Sequence, residues 1–225
     1  MSTLPLRPTN GGGRFPGFDV TTQSQHWDEA TRAAVLRRLE PPAAPRFFTE
    51  QEQAAASALF DQLLFQPHEP RVPVMLLVDA RLADHETDGW HYETMPTDDQ
   101  AWRVSLAGLD ADSMGSNGCP FAECTWDEQT DVLQSIQDLG AGEWHGMIAS
   151  QVWSLWSRYG CTAFYAHPLA WNEIGFDGPA YPRGYKNIGV DRLEGIEVHD
   201  AHPADDPLQP DLDPLELAHT AEARR

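Results

Sequence analysis

Apolar residues return at helical spacing in stretch after stretch of this chain, and three of those stretches open with the same signal. Thr49-x-x-Glu52, Thr97-x-x-Gln100 and Thr125-x-x-Glu128 fit the capping box. In that motif a threonine hydroxyl and an acid or amide three residues on satisfy orphan backbone donors at a helix start. Behind the first box Ala56, Leu59, Phe60, Leu63 and Leu64 form an apolar stripe. Trp102, Leu106 and Leu109 follow the second, and Val132, Leu133, Ile136 and Leu139 the third. Stripes in phase with caps predict amphipathic helices. An earlier helix is expected from about Asp28 to Leu39, ending before Pro41-Pro42. The apolar run Val74–Val78 fits a short buried strand or a helix. Helix is favoured because no partner strand is evident. The segment after it, "DHETDGWHYETMP", reads as an exposed acidic loop.

The last and longest helix is expected from roughly Glu143 to Ala166. Ile148, Val152, Leu155 and Tyr159 repeat at helical spacing, with Trp144, Met147, Trp153 and Trp156 widening the face. A helix apolar over so much of its girth belongs at the centre. Pro168 stops it. The fold class is therefore all-α: a helical domain of about five or six helices, a long central C-terminal helix and an irregular loop after it. Three regions are expected. Residues 1–25, rich in Gly, Pro, Thr and Ser, form an extended arm; 26–190 the helical domain; 191–225 a mobile acidic tail, with ten acids against three bases.

Composition narrows the function. The formal net charge is −20, which repels nucleic acid and anionic lipid. No stretch is long and apolar enough to span a bilayer, so no membrane insertion is expected. The N-terminus lacks a signal-peptide pattern and a twin arginine, which points to the cytoplasm, or to the periplasm only if another chain carries this one out. The three cysteines do not form a disulfide framework. Cys119 and Cys124 are spaced C-x4-C and read as free thiols; a metal site there needs a further ligand from elsewhere.

Catalytic signatures are missing. There is no nucleophile elbow, phosphate loop, dinucleotide fingerprint or calcium loop. Glu143-Trp144-His145 is E-x-H, without the E-x-x-H spacing that puts two ligands on one helix face. His145 and His167 are read as structural, His167 as a cap on the last carbonyls of the long helix. Asp98 and Asp99 complement a helix dipole, and Asp110 and Asp112 are expected to face solvent. No catalytic, cofactor-binding or metal residue is assigned in this chain.

One stretch remains, His167–Gly189, "HPLAWNEIGFDGPAYPRGYKNIG". It holds four glycines, three prolines and four aromatics in 23 residues, with the chain's only lysine, Lys186. Glycine and proline prescribe a backbone shape, and aromatics with arginine are the usual anchors of a protein interface. Trp171, Asn172, Phe176, Tyr181, Arg183, Tyr185 and Lys186 are the candidate partner-facing residues. Trp171 and Phe176 are expected to pin the loop to the central helix.

The order of these pieces resembles the gluconate 2-dehydrogenase subunit 3 family. "RFFTEQEQAAASALFDQLL" (46–64) is similar to its opening helix. "VWSLWSRYGCTAFYAHPLAWNEIGFDGPAYPRGY" (152–185) is similar to its closing helix, with Asn172, Gly175, Phe176 and Gly178 on the family pattern. The likeness runs from about Arg46 to Gly189. It implies a non-catalytic, chaperone-like small subunit of a flavin-dependent sugar or polyol dehydrogenase complex. FAD and substrate would belong to a large catalytic subunit of the glucose-methanol-choline oxidoreductase type, with a cytochrome as a further partner. The alternative is a free-standing helical metal-dependent enzyme, using His145, His167, Glu173 or the close cysteines, or a small-ligand-binding protein.

Overall fold

In the computed structural model, which describes residues 15, 17–40, 43–187, 189 and 192–201, two of the three capping boxes close. Thr49 starts α2 (Glu50–Leu63) and Thr125 starts α5 (Trp126–Asp138). In each case the hydroxyl accepts from the N3 amide while the N3 glutamate accepts from the cap amide. Thr97 precedes α4 (Asp98–Asn117) but makes no such cap bond. There Asp99 draws the Thr97 hydroxyl and the Asp99 and Gln100 amides to its own carboxylate, which holds its pKa below the usual range. The acid at N2 displaces the expected Gln100.

The remaining α-helices among the described residues are α1 (Glu29–Leu36), α3 (Val74–Ala83), α6 (Ala149–Tyr165) and α7 (Pro168–Ile174). The fold is all-α with one two-residue-per-strand hairpin, β1 (Glu143–Trp144) pairing antiparallel with β2 (Met147–Ile148). That hairpin corrects the expected start of the last helix. His145 and Gly146 both take positive φ, 47° and 77°, which turns the chain back on itself and cannot continue a helix. α6 thus begins six residues later than expected, and α4, at 20 residues, is longer than α6 at 17. Val74–Val78 is helical, as favoured.

The chain divides into two compact units, residues 38–167 and the end segments 1–37 with 168–225. In the first, the fully buried Trp102 of α4 is ringed by Phe48, Phe60 and Tyr159, with centroids 5.5–6.0 Å away. Trp156 of α6 donates its indole N–H to Ser105 Oγ at 3.0 Å and meets Trp144 of the hairpin at 5.6 Å. Each edge-to-face pair adds ~0.5–1.5 kcal/mol beyond the area it buries.

Asp79 on α3 is the polar centre of this unit. It is 1% exposed, and its carboxylate accepts from the amides of Arg46 (2.6 Å), Phe47 (3.0 Å) and Phe48 (2.8 Å). One side chain thus fixes the entry into α2. The acidic loop after α3 is exposed over most of its length, as expected, and is anchored at Asp88. Asp88 is half-buried, bonded to Arg81 at 2.6 Å and paired with Arg158, whose guanidinium lies 4.4 Å from the Trp90 ring centre.

The second unit uses part of the N-terminal arm. Val20–His26 is a 3-10 helix, not extended chain, with Asp19 as its cap. Val20, Trp27, Val35 and Trp171 form a small buried cluster, with Phe18 packed against it. Residues 1–14, 16 and 202–225, which hold most of the expected arm and tail, lie outside the described residues. Among the described residues no helix is long and apolar enough to cross a membrane.

Candidate functional site

Pro168 does not only stop a helix; it begins another. Proline suits the first helical position, where no amide is needed. The result is α7, a seven-residue helix inside a stretch expected to be irregular throughout. Trp171 on α7 is 5% exposed against Val20, Trp27 and Val35, and Asn172 Oδ1 accepts from Val20 N at 2.8 Å. Both were placed by sequence on the partner-facing surface. Trp171 faces inward instead, and Asn172 is half-buried and tied to the 3-10 helix; both support that surface from beneath.

The backbone beyond α7 is shaped by two glycines that cannot be replaced in place. Gly175 has φ 67°, and a Cβ there would stand 2.5 Å from the Phe15 ring. Gly178 has φ 78°, and a Cβ would stand 2.7 Å from the Trp27 ring. Both side-chain bulk and left-handed φ exclude other residues. This close approach lets the loop return over α7 and the 3-10 helix.

What the loop presents outward is aromatic. Tyr181 is 64% exposed and Tyr185 54%; Phe176, stacked edge-on to Trp171 at 5.3 Å, is 39% exposed. Ile174 and Leu193 add exposed apolar surface that the sequence reading did not single out. Lys186 is exposed, and its backbone amide donates to Glu194. Arg183 is half-buried, with Nη1 3.4 Å from Gln23 Oε1. It is held by its own unit more than the exposed tyrosines are.

A cleft of about 470 Å³ opens among Phe15, Phe176, Tyr185 and Leu193, with Asp177, Glu197 and Asp200 supplying carboxylates. Asp177 was missed in the sequence. It is 5% exposed, and among the described residues neither carboxylate oxygen has a hydrogen-bond partner. Burial pushes its pKa up to about 6; the Arg183 charge opposes this and the Glu197 charge adds to it. Burial alone pushes Glu173 up to about 6. A "GFDG" tetrapeptide carries the turn in its glycines but no sign that the acid points inward.

The other candidates are engaged elsewhere. His145 Nε2 lies 2.9 Å from Asp112 Oδ1, and Trp144 donates to Asp112 Oδ2 at 2.7 Å. Asp112 therefore clamps the hairpin onto α4 and does not simply face solvent. Asp110 likewise accepts from Gln51 and from Phe121 N. His167 is buried and bonded to the Arg38 backbone, with burial lowering its pKa. The His167 backbone amide donates to Phe164 O in the last turn of α6 at 3.0 Å, and Arg38 Nη1 donates to Ala166 O just past its end at 2.8 Å. Among the described residues no three His, Cys, Asp or Glu side chains are placed to share a metal ion.

The family model described as Gluconate 2-dehydrogenase subunit 3 matches residues 50–178, more than half of the 225-residue chain. Nothing matches among curated proteins or among solved structures. The matched span opens directly after the Thr49 cap and closes on Gly178, so Tyr181, Arg183, Tyr185 and Lys186 lie just beyond it. A helical body of this order, ending in the α7 turn with its two obligatory glycines, belongs to the gluconate 2-dehydrogenase subunit 3 family.

Proposed function

We propose that this chain is a non-catalytic accessory subunit that binds and stabilises an FAD-dependent sugar or polyol dehydrogenase subunit of the glucose-methanol-choline type. FAD and substrate sit in that partner, and a cytochrome subunit completes the electron path. Family membership supplies the complex. The observation that carries the docking role is the outward aromatic surface of Phe176, Tyr181 and Tyr185, held by a backbone that Gly175 and Gly178 fix in advance. Preformed shape lowers the ordering cost of association, and exposed tyrosines in such a setting are typical anchors.

Within that surface the roles divide. Tyr181 and Tyr185 make contact. Phe176 lies over Trp171 and gives the patch its floor. Trp171 and Asn172 hold the loop on the 3-10 helix. Arg183 and Lys186 supply the positive charge in an otherwise acidic protein.

The test is co-expression. The flavoprotein subunit produced alone is expected to be insoluble or flavin-poor, and to recover both solubility and FAD with this chain present. A partner that folds and turns over fully without it would remove the stabilising role. Replacing Tyr181 and Tyr185 together by alanine is expected to break co-purification while the circular dichroism of this chain stays unchanged.

A further inference from the structure

The turn between α4 and α5 carries chemistry that a docking role does not use. Cys119 and Cys124 both lie in it, and their Sγ atoms are 2.9 Å apart. That separation exceeds a disulfide bond by only ~0.9 Å. Both are free thiols; Cys124 is buried and Cys119 half-exposed. We propose that Cys119 and Cys124 are a disulfide-forming pair, closed by exchange with an external disulfide, that latches the corner between α4 and α5.

The geometry needs little rearrangement, because the turn is already fixed from both sides. α4 ends at Gly118, whose φ of 76° swings the chain out of the helix. The short 3-10 turn Phe121–Glu123 follows. Phe121 is fully buried, and its amide donates to Asp110 Oδ1 at 3.0 Å. The buried Gln129 amide donates to Phe121 O and to Cys124 O, at 3.0 and 3.1 Å. The Thr125 capping box then starts α5. Ordering two thiols side by side is normally the main obstacle to joining them. Here the fold has already done so.

The steps balance. The more accessible Cys119 thiolate attacks one sulfur of a disulfide oxidant R–S–S–R, forms a mixed disulfide and expels one thiolate R–S⁻. The Cys124 thiolate then attacks Cys119 Sγ, forms the Sγ–Sγ bond and expels the second R–S⁻. Two cysteines are oxidised by two electrons, one disulfide is reduced to two thiols, and the two cysteine protons end on the released R–SH. The shared contact with Cys124, then burial, and then the charges of Cys124, Glu128 and Glu123, push Cys119 up to about 11. Exchange is therefore slow at neutral pH and faster in mild base, since the thiolate is the nucleophile.

Cys161 is exposed on α6 and is the only other cysteine. The test is accordingly made on full-length chain carrying Cys161→Ser, with oxidised glutathione at pH 8.5. Intact mass is followed with thiol counting. The expected product is a monomer about 2 Da lighter, with no titratable thiol and no retained glutathione. Its melting temperature should rise by several degrees and fall back on reduction. Adding Cys119→Ser should abolish both the mass change and the shift, and this site is exposed enough for the variant to fold. Two thiols surviving excess oxidant would overturn the proposal. So would a stable glutathione adduct on both cysteines, since the sulfurs would then not join.

Discussion

The helical unit of residues 38–167 and the unit built from the two chain ends treat their buried carboxylates in opposite ways, although Trp102, Ser113 and Arg158 of the first unit each keep a buried polar atom without a partner among the described residues. In the first, the buried Asp79 carboxylate meets three backbone amides. Asp112 meets an indole and an imidazole, and Gln129 meets two carbonyls. In the second, Asp177 is as deeply buried as many core residues, yet neither of its oxygens has a partner among the described residues. The first unit buries Trp102, Trp144 and Trp156 and leaves Trp90 and Tyr165 about half exposed, whereas the second buries Trp27 and Trp171 and leaves Tyr181 and Tyr185 more than half exposed. Paired polar groups and covered rings are what stability selects. An orphaned carboxylate beside uncovered rings costs stability, and such costs are retained where a surface meets something else.

That contrast can be broken most forcefully at Asp79. Asp79→Ala strands three amides, at least one of them fully buried, and is expected to cost about 3 kcal/mol or more. This corresponds to a melting temperature lower by roughly 6–12 °C, read by calorimetry. Asp79→Asn should recover part of the loss, since one amide oxygen can still accept.

A smaller effect, confined to the other unit, is expected at Gly178. Gly178→Ala drives a Cβ into the Trp27 ring at a left-handed φ, at a cost of about 1–3 kcal/mol. Hydrogen exchange should speed up around residues 20–27 and 171–180 and stay unchanged in α2, α4 and α6. Equal acceleration in both units would erase the distinction between them.

Asp177 should respond with the opposite sign, and only at some pH values. Its folded pKa, about 6, lies above the ordinary 3.8, so the folded chain binds its proton more tightly than the unfolded chain does. Stability is then lost as pH rises from about 4 to 6 and stays low above that. Asp177→Asn removes this loss. The variant should melt higher than the parent at pH 7.5 and at the same temperature at pH 4. A variant that is destabilised at pH 7.5 would show that the carboxylate is partnered after all.

The smallest effect on stability is expected at Tyr185. Tyr185→Ala removes an exposed ring and should change stability by about 0.5 kcal/mol or less. Binding to the proposed flavoprotein partner should nevertheless weaken by roughly 10- to 100-fold, as for a central aromatic anchor. Arg183→Glu is a poorer probe, because it places a new carboxylate near Asp177 and removes the contact with Gln23.

These differences mark what could be read from the chain. The caps at Thr49 and Thr125 and the stripes behind them announce α2 and α5, because both signals are local. The Thr97 box fails for a local reason that spacing rules overlook, the competing Asp99. The hairpin at 143–148 was hidden because Trp144, Met147 and Ile148 satisfy a helical period as well as a buried strand pair. Only the backbone of His145-Gly146 decides between them. Asp79 and Asp177 were illegible for a deeper reason. Whether a carboxylate is paired depends on residues more than 30 positions away for the first, and on the 3-10 helix and the 192–200 segment for the second. The aromatic loop was visible as a surface, whereas the inward turn of Trp171 and the tie made by Asn172 required the N-terminal segment to be in place.

The proposed docking surface is tested most directly by hydrogen exchange on the full chain, free and mixed with the flavoprotein dehydrogenase subunit proposed as its partner. Protection on binding is expected to concentrate in residues 174–186, with the buried amides of α2 and α4 unchanged. Protection confined to residues 38–167, with 174–186 exchanging as fast as in the free chain, would contradict the assignment.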